Sequence, residues 1–326
     1  MSKPQDPDID AEVVLLSSDG VQFQVRQRLL SLASPVFDDM FSVPQPTSDS
    51  KPPINLSETG RTLKLILDLC TYPRTLHRID LSDIVNLLQA ADKYDIKTIQ
   101  QHSLSSLSLP KFLENEPLRV YAIASCYGAH DTAALAARHL LQYPLLHAEY
   151  FPELEIVDGG TIYRVLQYHE QCKAAVLEVA TNHTWIRVGT YVFIDCPGVD
   201  TDDDDDDDDD DDGLATRTTT IRTHPSRKHK KGYPKTVSVH PWWSKFMATT
   251  KVVLSESIAS ETIRDKGRVK EALSAASQCT HCRKHVKSDF YKFLDAFVNE
   301  VEERVTKVSA YVPIQSCNLG KLDLID

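Results

Sequence analysis

The stretch Leu87-Leu88-Gln89-Ala90-Ala91-Asp92-Lys93-Tyr94-Asp95-Ile96 carries most of the information about the fold. Ile84, Leu87, Leu88 and Ala91 recur at i, i+3, i+4 and i+7, the spacing of one buried helical face. The polar Asp92-Lys93 and the turn at Tyr94-Asp95 end that face, and Ile96 opens a further helix to Leu107. Upstream, Leu63, Ile66, Leu67 and Cys70 repeat the same spacing, after a helix start at Ser57 to Thr59.

Toward the N-terminus the period changes. Val13-Val14-Leu15-Leu16 is a short apolar run, Ser18-Asp19-Gly20 is a tight-turn signal, and Val21, Phe23 and Val25 alternate with polar residues. A β-hairpin follows from that pattern. Leu29 and Leu32, then Phe37, Met40 and Phe41, fit two short helices broken at Ser34-Pro35, where Ser34 caps the second and Pro35 begins it. Pro44 to Pro53 holds four prolines and reads as a loop before the extended segment Pro53-Ile54-Asn55-Leu56. Residues 1–11 read as a disordered leader.

In this order the segments resemble the BTB/POZ domain over residues 12–108. Asp19-Gly20-Val21-Gln22-Phe23 is similar to the family's second-strand entry. Leu29-Leu30-Ser31-Leu32-Ala33-Ser34-Pro35-Val36-Phe37 is similar to its stretch ending Ser-Pro-aromatic-Phe, and Asp39-Met40-Phe41 continues it. Leu67-Asp68-Leu69-Cys70-Thr71-Tyr72 takes the place of a leucine-rich helix end closing on tyrosine, and Leu87 to Ile96 resembles the Ala-Ala-Asp segment. The wording of Ser31 to Phe41 and of Ala90 to Asp95 is most similar to BTB proteins of fungi.

The resemblance implies an α+β fold, short strands packed with helical hairpins, followed here by a mostly α-helical region. It also implies a non-enzymatic interaction module, with partner contacts at Phe37, Met40, Phe41, Val43 and Gln45. Such domains self-associate or dock on protein partners, cullin scaffolds of ubiquitin ligases among them. Three departures bear on this. Arg26-Gln27 stands where the family has His-Lys, and eleven residues before the first strand leave no room for the segment that swaps in BTB dimers. Val43-Pro44-Gln45 stands where cullin-binding members carry hydrophobic-x-Glu.

Residues 109–182 read as a helical extension, in which Glu116 to Ala124 resembles the one that follows the fungal domain. Val120, Ile123, Ala124 and Tyr127 form one stripe, Ala133 to Leu141 a second helix, and Ile162 through Ala180 a long third one. Residues 242–312 read as a C-terminal helical segment packing on that extension. Its last helix, from about Asp289, lines up Phe290, Phe293, Leu294, Phe297, Val301, Val305 and Val308.

Between them, residues 197–241 read as a disordered acidic-then-basic insert. The net charge of −11 belongs to eleven consecutive aspartates, Asp202 to Asp212; without them acidic and basic residues balance. Such a run repels itself and buries no apolar area. Arg227, Lys228, Lys230 and Lys231 follow closely, a composition shared by nuclear localisation signals and by charge compensation at a Debye length of ~8 Å. The neighbouring polyanion competes for those cations, which argues against nucleic-acid binding.

Other classes are excluded or left unassigned. No apolar run approaches the roughly 18 residues of a membrane span, and Met1 to Asp10 hold no apolar core of the kind a secretory signal requires. Seven scattered cysteines fit reduced thiols of a cytoplasmic or nuclear protein, not a disulfide framework. Asp195-Cys196-Pro197-Gly198 has the form of a GTPase element, but the phosphate-cradling loop it requires is missing. Cys279-Thr280-His281-Cys282, with His285, has metal-ligand spacing. A structural zinc site needs four ligands, and Cys196, His183 and His240 stand isolated in sequence. No catalytic, cofactor or metal residue is therefore assigned. Trp242-Trp243 reads as an anchor that buries the restart of ordered structure.

Overall fold

The computed structural model describes residues 12–43, 52–72, 79–143, 145, 149–187, 189–196, 219–223 and 235–309. The leader, Gln45, the aspartate run and Arg227, Lys228, Lys230 and Lys231 lie outside the described residues. The chain divides into two compact units. One holds the described residues up to Ala136 together with Phe151–Asp158; the other holds Ala137–Tyr150 and those from Gly159 onward.

In the first unit, β1 (Glu12–Leu16) pairs antiparallel with β2 (Gln22–Arg26), setting Val13 opposite Val25 and Leu15 opposite Phe23. The turn closes where Gly20 sits at φ +83°, a conformation glycine adopts without strain. Ser17 Oγ donates to Asp19 at 2.5 Å, and Asp19 accepts the Gly60 N–H at 2.8 Å. On its other edge β1 pairs in parallel with β3 (Ile54–Asn55), giving the order β2-β1-β3.

Helices α1 (Gln27–Ala33), α2 (Pro35–Ser42), α3 (Gly60–Thr71), α4 (Leu81–Lys93) and α5 (Lys97–Ser106) complete the fold around that sheet. Their core joins Val13, Leu15, Val25, Leu30, Phe37, Leu63, Ile66, Leu87, Ala91 and Ile99. Asp80 and Asp83 form a reciprocal capping box at the start of α4, and Arg61 holds Asp83 in a two-pronged pair at 2.5 and 2.6 Å. At its other end, Ile96 N–H reaches the Ala91 carbonyl at 2.8 Å while Asp95 takes a left-handed φ of +50°. That is a Schellman closure with aspartate in the usual glycine position. It explains why the apolar period breaks at Tyr94-Asp95 and resumes at Ile96.

Helices α6 (Pro110–Asn115) and α7 (Pro117–Cys126) follow, then α8 (His130–Leu140). Val120, Ala122 and Ala124 of α7 are fully buried. Arg119 pairs with the buried Glu153 at 2.8 Å and donates to Ser82 at 3.0 Å, tying the 3-10 turn Pro152–Glu155 to α7 and to the first turn of α4.

The second unit is built on α9 (Gly159–Thr181), α10 (Pro241–Glu256), α11 (Lys266–Ala276) and α12 (Val286–Ser309), with α10 and α12 packed on α9. Its core is aromatic. Phe193, Trp243, Phe290, Phe293 and Phe297 are fully buried, and Trp185 stacks on Phe293 and Phe297 at 5.7 and 5.6 Å. Such pairs add roughly 0.5–1.5 kcal/mol each beyond the area they bury.

One expectation is corrected here. Within residues 197–241, read from sequence as disordered, β4 (Thr219–Thr223) and β5 (Lys235–Val239) pair antiparallel. Ile221, Val237 and Val239 are buried while Arg222 is exposed. The β-branched alternation suits a half-buried strand, and the flanking charge runs masked it.

Candidate functional sites

The first candidate is the helical hairpin α1–α2. Ser34 breaks it, in extended backbone, and does two things. Its Oγ accepts the Phe37 N–H at 3.1 Å, capping α2, and donates to the Tyr94 carbonyl at 2.5 Å in a buried setting. Phe37 then stacks on the Tyr94 ring with centroids 4.7 Å apart. The hairpin is thereby locked to the end of α4.

This placement revises the sequence-based contact set. Phe37 is 3 % exposed and belongs to the core, so it is closed to a partner. Met40 and Phe41 are half-buried and pack against that core. Val43 is 60 % exposed, whereas Gln45 lies outside the described residues. Leu32 at 79 % and Val36 at 42 % present apolar side chains that the sequence reading had not assigned to a partner. Leu29 and Leu32 carry the helical spacing of this segment, yet the residue that α1 buries is Leu30. In Leu29-Leu30-Ser31-Leu32 the spacing alone does not say which leucine turns inward.

The hairpin rests on a polar support. Glu58 accepts from Tyr94 Oη at 2.6 Å and from Lys93 Nζ at 2.9 Å. Burial raises the Glu58 carboxyl, but the Tyr94 and Lys93 hydrogen bonds outweigh it and the net shift is downward. Burial, followed by the Glu58 hydrogen bond, pushes the Tyr94 phenol upward, so it stays a donor.

The second candidate lies in the C-terminal unit. Cys196, His240, Cys279 and Cys282 place their ligand atoms within 4.8 Å of one another. Three separate segments deliver them. Asp195 N–H bonds to the Ser238 carbonyl at 3.0 Å, and Ile194 bridges Val239, bringing Cys196 beside the end of β5. His240 is the residue that precedes α10. Cys279 and Cys282 occupy the turn before α12, where Val286 N–H bonds to the Cys282 carbonyl at 2.9 Å.

Cys282 Sγ lies 3.4 Å from Cys196 Sγ and 3.5 Å from His240 Nε2, and Cys196 Sγ lies 3.9 Å from Cys279 Sγ. Cys196, His240 and Cys282 are buried, and Cys279 is half-buried. Burial raises the Cys279 thiol, but backbone N–H groups of Cys282 and His281 outweigh it, and the net shift is downward. Cys282 goes the other way, driven up by burial and then by its two cysteine neighbours.

Cys196 and His240, isolated in sequence, lie beside the Cys279–Cys282 pair. His285 is exposed and outside the cluster. His183 is outside it too, set edge-on to Trp243 at 5.0 Å. The spacing of Cys279 and Cys282 was the only signal in the sequence, because the other two members are brought in by strand pairing.

Among the described residues no helix is long and apolar enough to cross a membrane. No curated protein matches the chain. Residues 1–109 match the family model of the BTB/POZ domain. That match covers the β2-β1-β3 sheet and helices α1 to α5, and over this segment the chain carries a BTB/POZ domain, a protein–protein interaction module.

Proposed function

We propose that this protein is a non-enzymatic adaptor that binds a protein partner through the α1–α2 hairpin of its BTB/POZ domain. The observation that carries this reading is the exposure of Leu32, Val36 and Val43 on one rigidly held hairpin. Single exposed apolar residues are ordinary, but three on a hairpin pinned by Ser34 and Tyr94 supply anchors at little ordering cost. Residues 109–182 form the helical extension of such a fungal-type protein in this reading.

Quantitative affinity purification of the full chain tests the proposal. Partners enriched by the intact chain and lost when Leu32 and Val43 are made polar support it. A cullin among the captured proteins, retained by those same variants, would instead favour a ligase adaptor with another docking face. Unchanged capture with no dependence on the hairpin overturns the reading.

A further inference from the structure

We infer that Cys196, His240, Cys279 and Cys282 form a structural Zn²⁺ site that clips together the C-terminal unit. Three separations among the four ligand atoms come close to those of a tetrahedral shell, and all four atoms lie within 4.8 Å of one another. Zn–S bonds of about 2.3 Å and a Zn–N bond of about 2.05 Å at tetrahedral angles set sulfurs roughly 3.8 Å apart and sulfur from nitrogen roughly 3.6 Å. The sulfur separations of 3.4 and 3.9 Å bracket the first value, and the 3.5 Å from Cys282 Sγ to His240 Nε2 falls close to the second. A disulfide needs about 2.05 Å between sulfurs and would strand the third thiol and a buried imidazole.

The donor set selects the metal. Three thiolates and one imidazole are soft and borderline ligands that suit Zn²⁺ and disfavour Mg²⁺ or Ca²⁺. Four protein ligands close the shell, so the site holds structure and leaves no open position for catalysis. Binding releases three thiol protons to solvent, His240 binds neutral through Nε2, and the bound site carries one net negative charge.

The topology gives the clip its purpose. The strand pair β4–β5, the turn carrying Cys196 and the turn before α12 come from segments up to 86 residues apart. Cross-linking distant segments removes the most freedom from the unfolded chain.

The test is metal analysis of the full chain purified without chelator. We expect one zinc per chain, retained by Cys70→Ser, a half-buried cysteine outside the cluster, and lost from both Cys279→Ser and Cys282→Ser. Because Cys282 is buried, its variant can fail to fold for packing reasons; Cys279 is half-exposed and provides the second arm. Cobalt replacing zinc in the wild-type chain should show tetrahedral d–d bands and thiolate charge transfer, both absent from Cys279→Ser. A wild-type chain that is metal-free and takes up neither Zn²⁺ nor Co²⁺ overturns the proposal. So does a disulfide between any two of Cys196, Cys279 and Cys282, mapped by peptide mass spectrometry of the unreduced chain.

Discussion

Ser34 Oγ and the Tyr94 carbonyl, sixty residues apart in sequence, meet at 2.5 Å inside the core of the BTB/POZ domain. One hydroxyl both caps α2 and fastens the hairpin to the closing turn of α4. Ser34→Ala removes both bonds and leaves a buried carbonyl without its donor. A cap loss of about 1 kcal/mol and an unsatisfied buried acceptor together predict a cost of roughly 2–3 kcal/mol. Urea denaturation of the full chain, with hydrogen exchange read at α2 and α4, checks this. A loss under half a kcal/mol would show the bond to be incidental.

Gly60 makes a second, opposite use of close approach. An alanine Cβ there would sit 2.8 Å from Val21 Cγ2 and 2.9 Å from Val21 Cβ. In a free helix Gly→Ala is stabilising by about 1 kcal/mol; here overpacking against the hairpin reverses the sign, to a net loss of roughly 1–2 kcal/mol. Val21→Ala in the same chain removes the Cγ2 contact but keeps the Cβ at 2.9 Å, so it should recover only part of that loss; Val21 is itself 43 % exposed, so its truncation leaves little cavity. A double-mutant cycle on denaturation midpoints measures the coupling. Additive effects would contradict the packing argument.

Asp83 contributes to the acid sensitivity of the domain. The Arg61 hydrogen bond, opposed by burial and aided by the Asp80 backbone, holds its carboxyl below the ordinary value of 3.8. A depressed folded pKa means that the stabilisation is full above 3.8 and is lost as pH falls from there through the lowered folded value. Asp83→Asn should cost about 1–2 kcal/mol at neutral pH through the lost pair and capping box. It should also flatten the acid limb of the stability profile below 3.8. Hydrogen exchange in α4 as a function of pH is the readout, and an unchanged acid limb would assign it to other carboxylates.

Much of this fold was legible in the sequence because its signals are local. Asp19-Gly20 marks the hairpin, the i, i+3, i+4, i+7 apolar spacing marks α3 and α4, and Ser34-Pro35 marks the break between α1 and α2. What was not legible depends on tertiary pairing. Phe37 looks like surface in a motif and is core, because Tyr94 from α4 stacks over it. Leu32 carries the helical spacing and is exposed, because a seven-residue helix buries only Leu30. Strands β4 and β5 are hidden between runs of charge. Cys196 and His240 join the Cys279–Cys282 turn only through the strand pairing that brings positions 86 and 42 residues away to Cys282. No spacing rule reaches that far.

The adaptor reading stands on the exposed hairpin, and one comparison tests it most directly. Leu32→Arg combined with Val43→Asp replaces exposed side chains, so stability should stay within about 0.5 kcal/mol for each change. Affinity capture by the wild-type full chain and by this variant, quantified by mass spectrometry at matched expression, is the measurement. The account predicts that the variant remains folded and loses the partners that the wild type enriches. A folded variant that captures the same proteins at the same levels would contradict it.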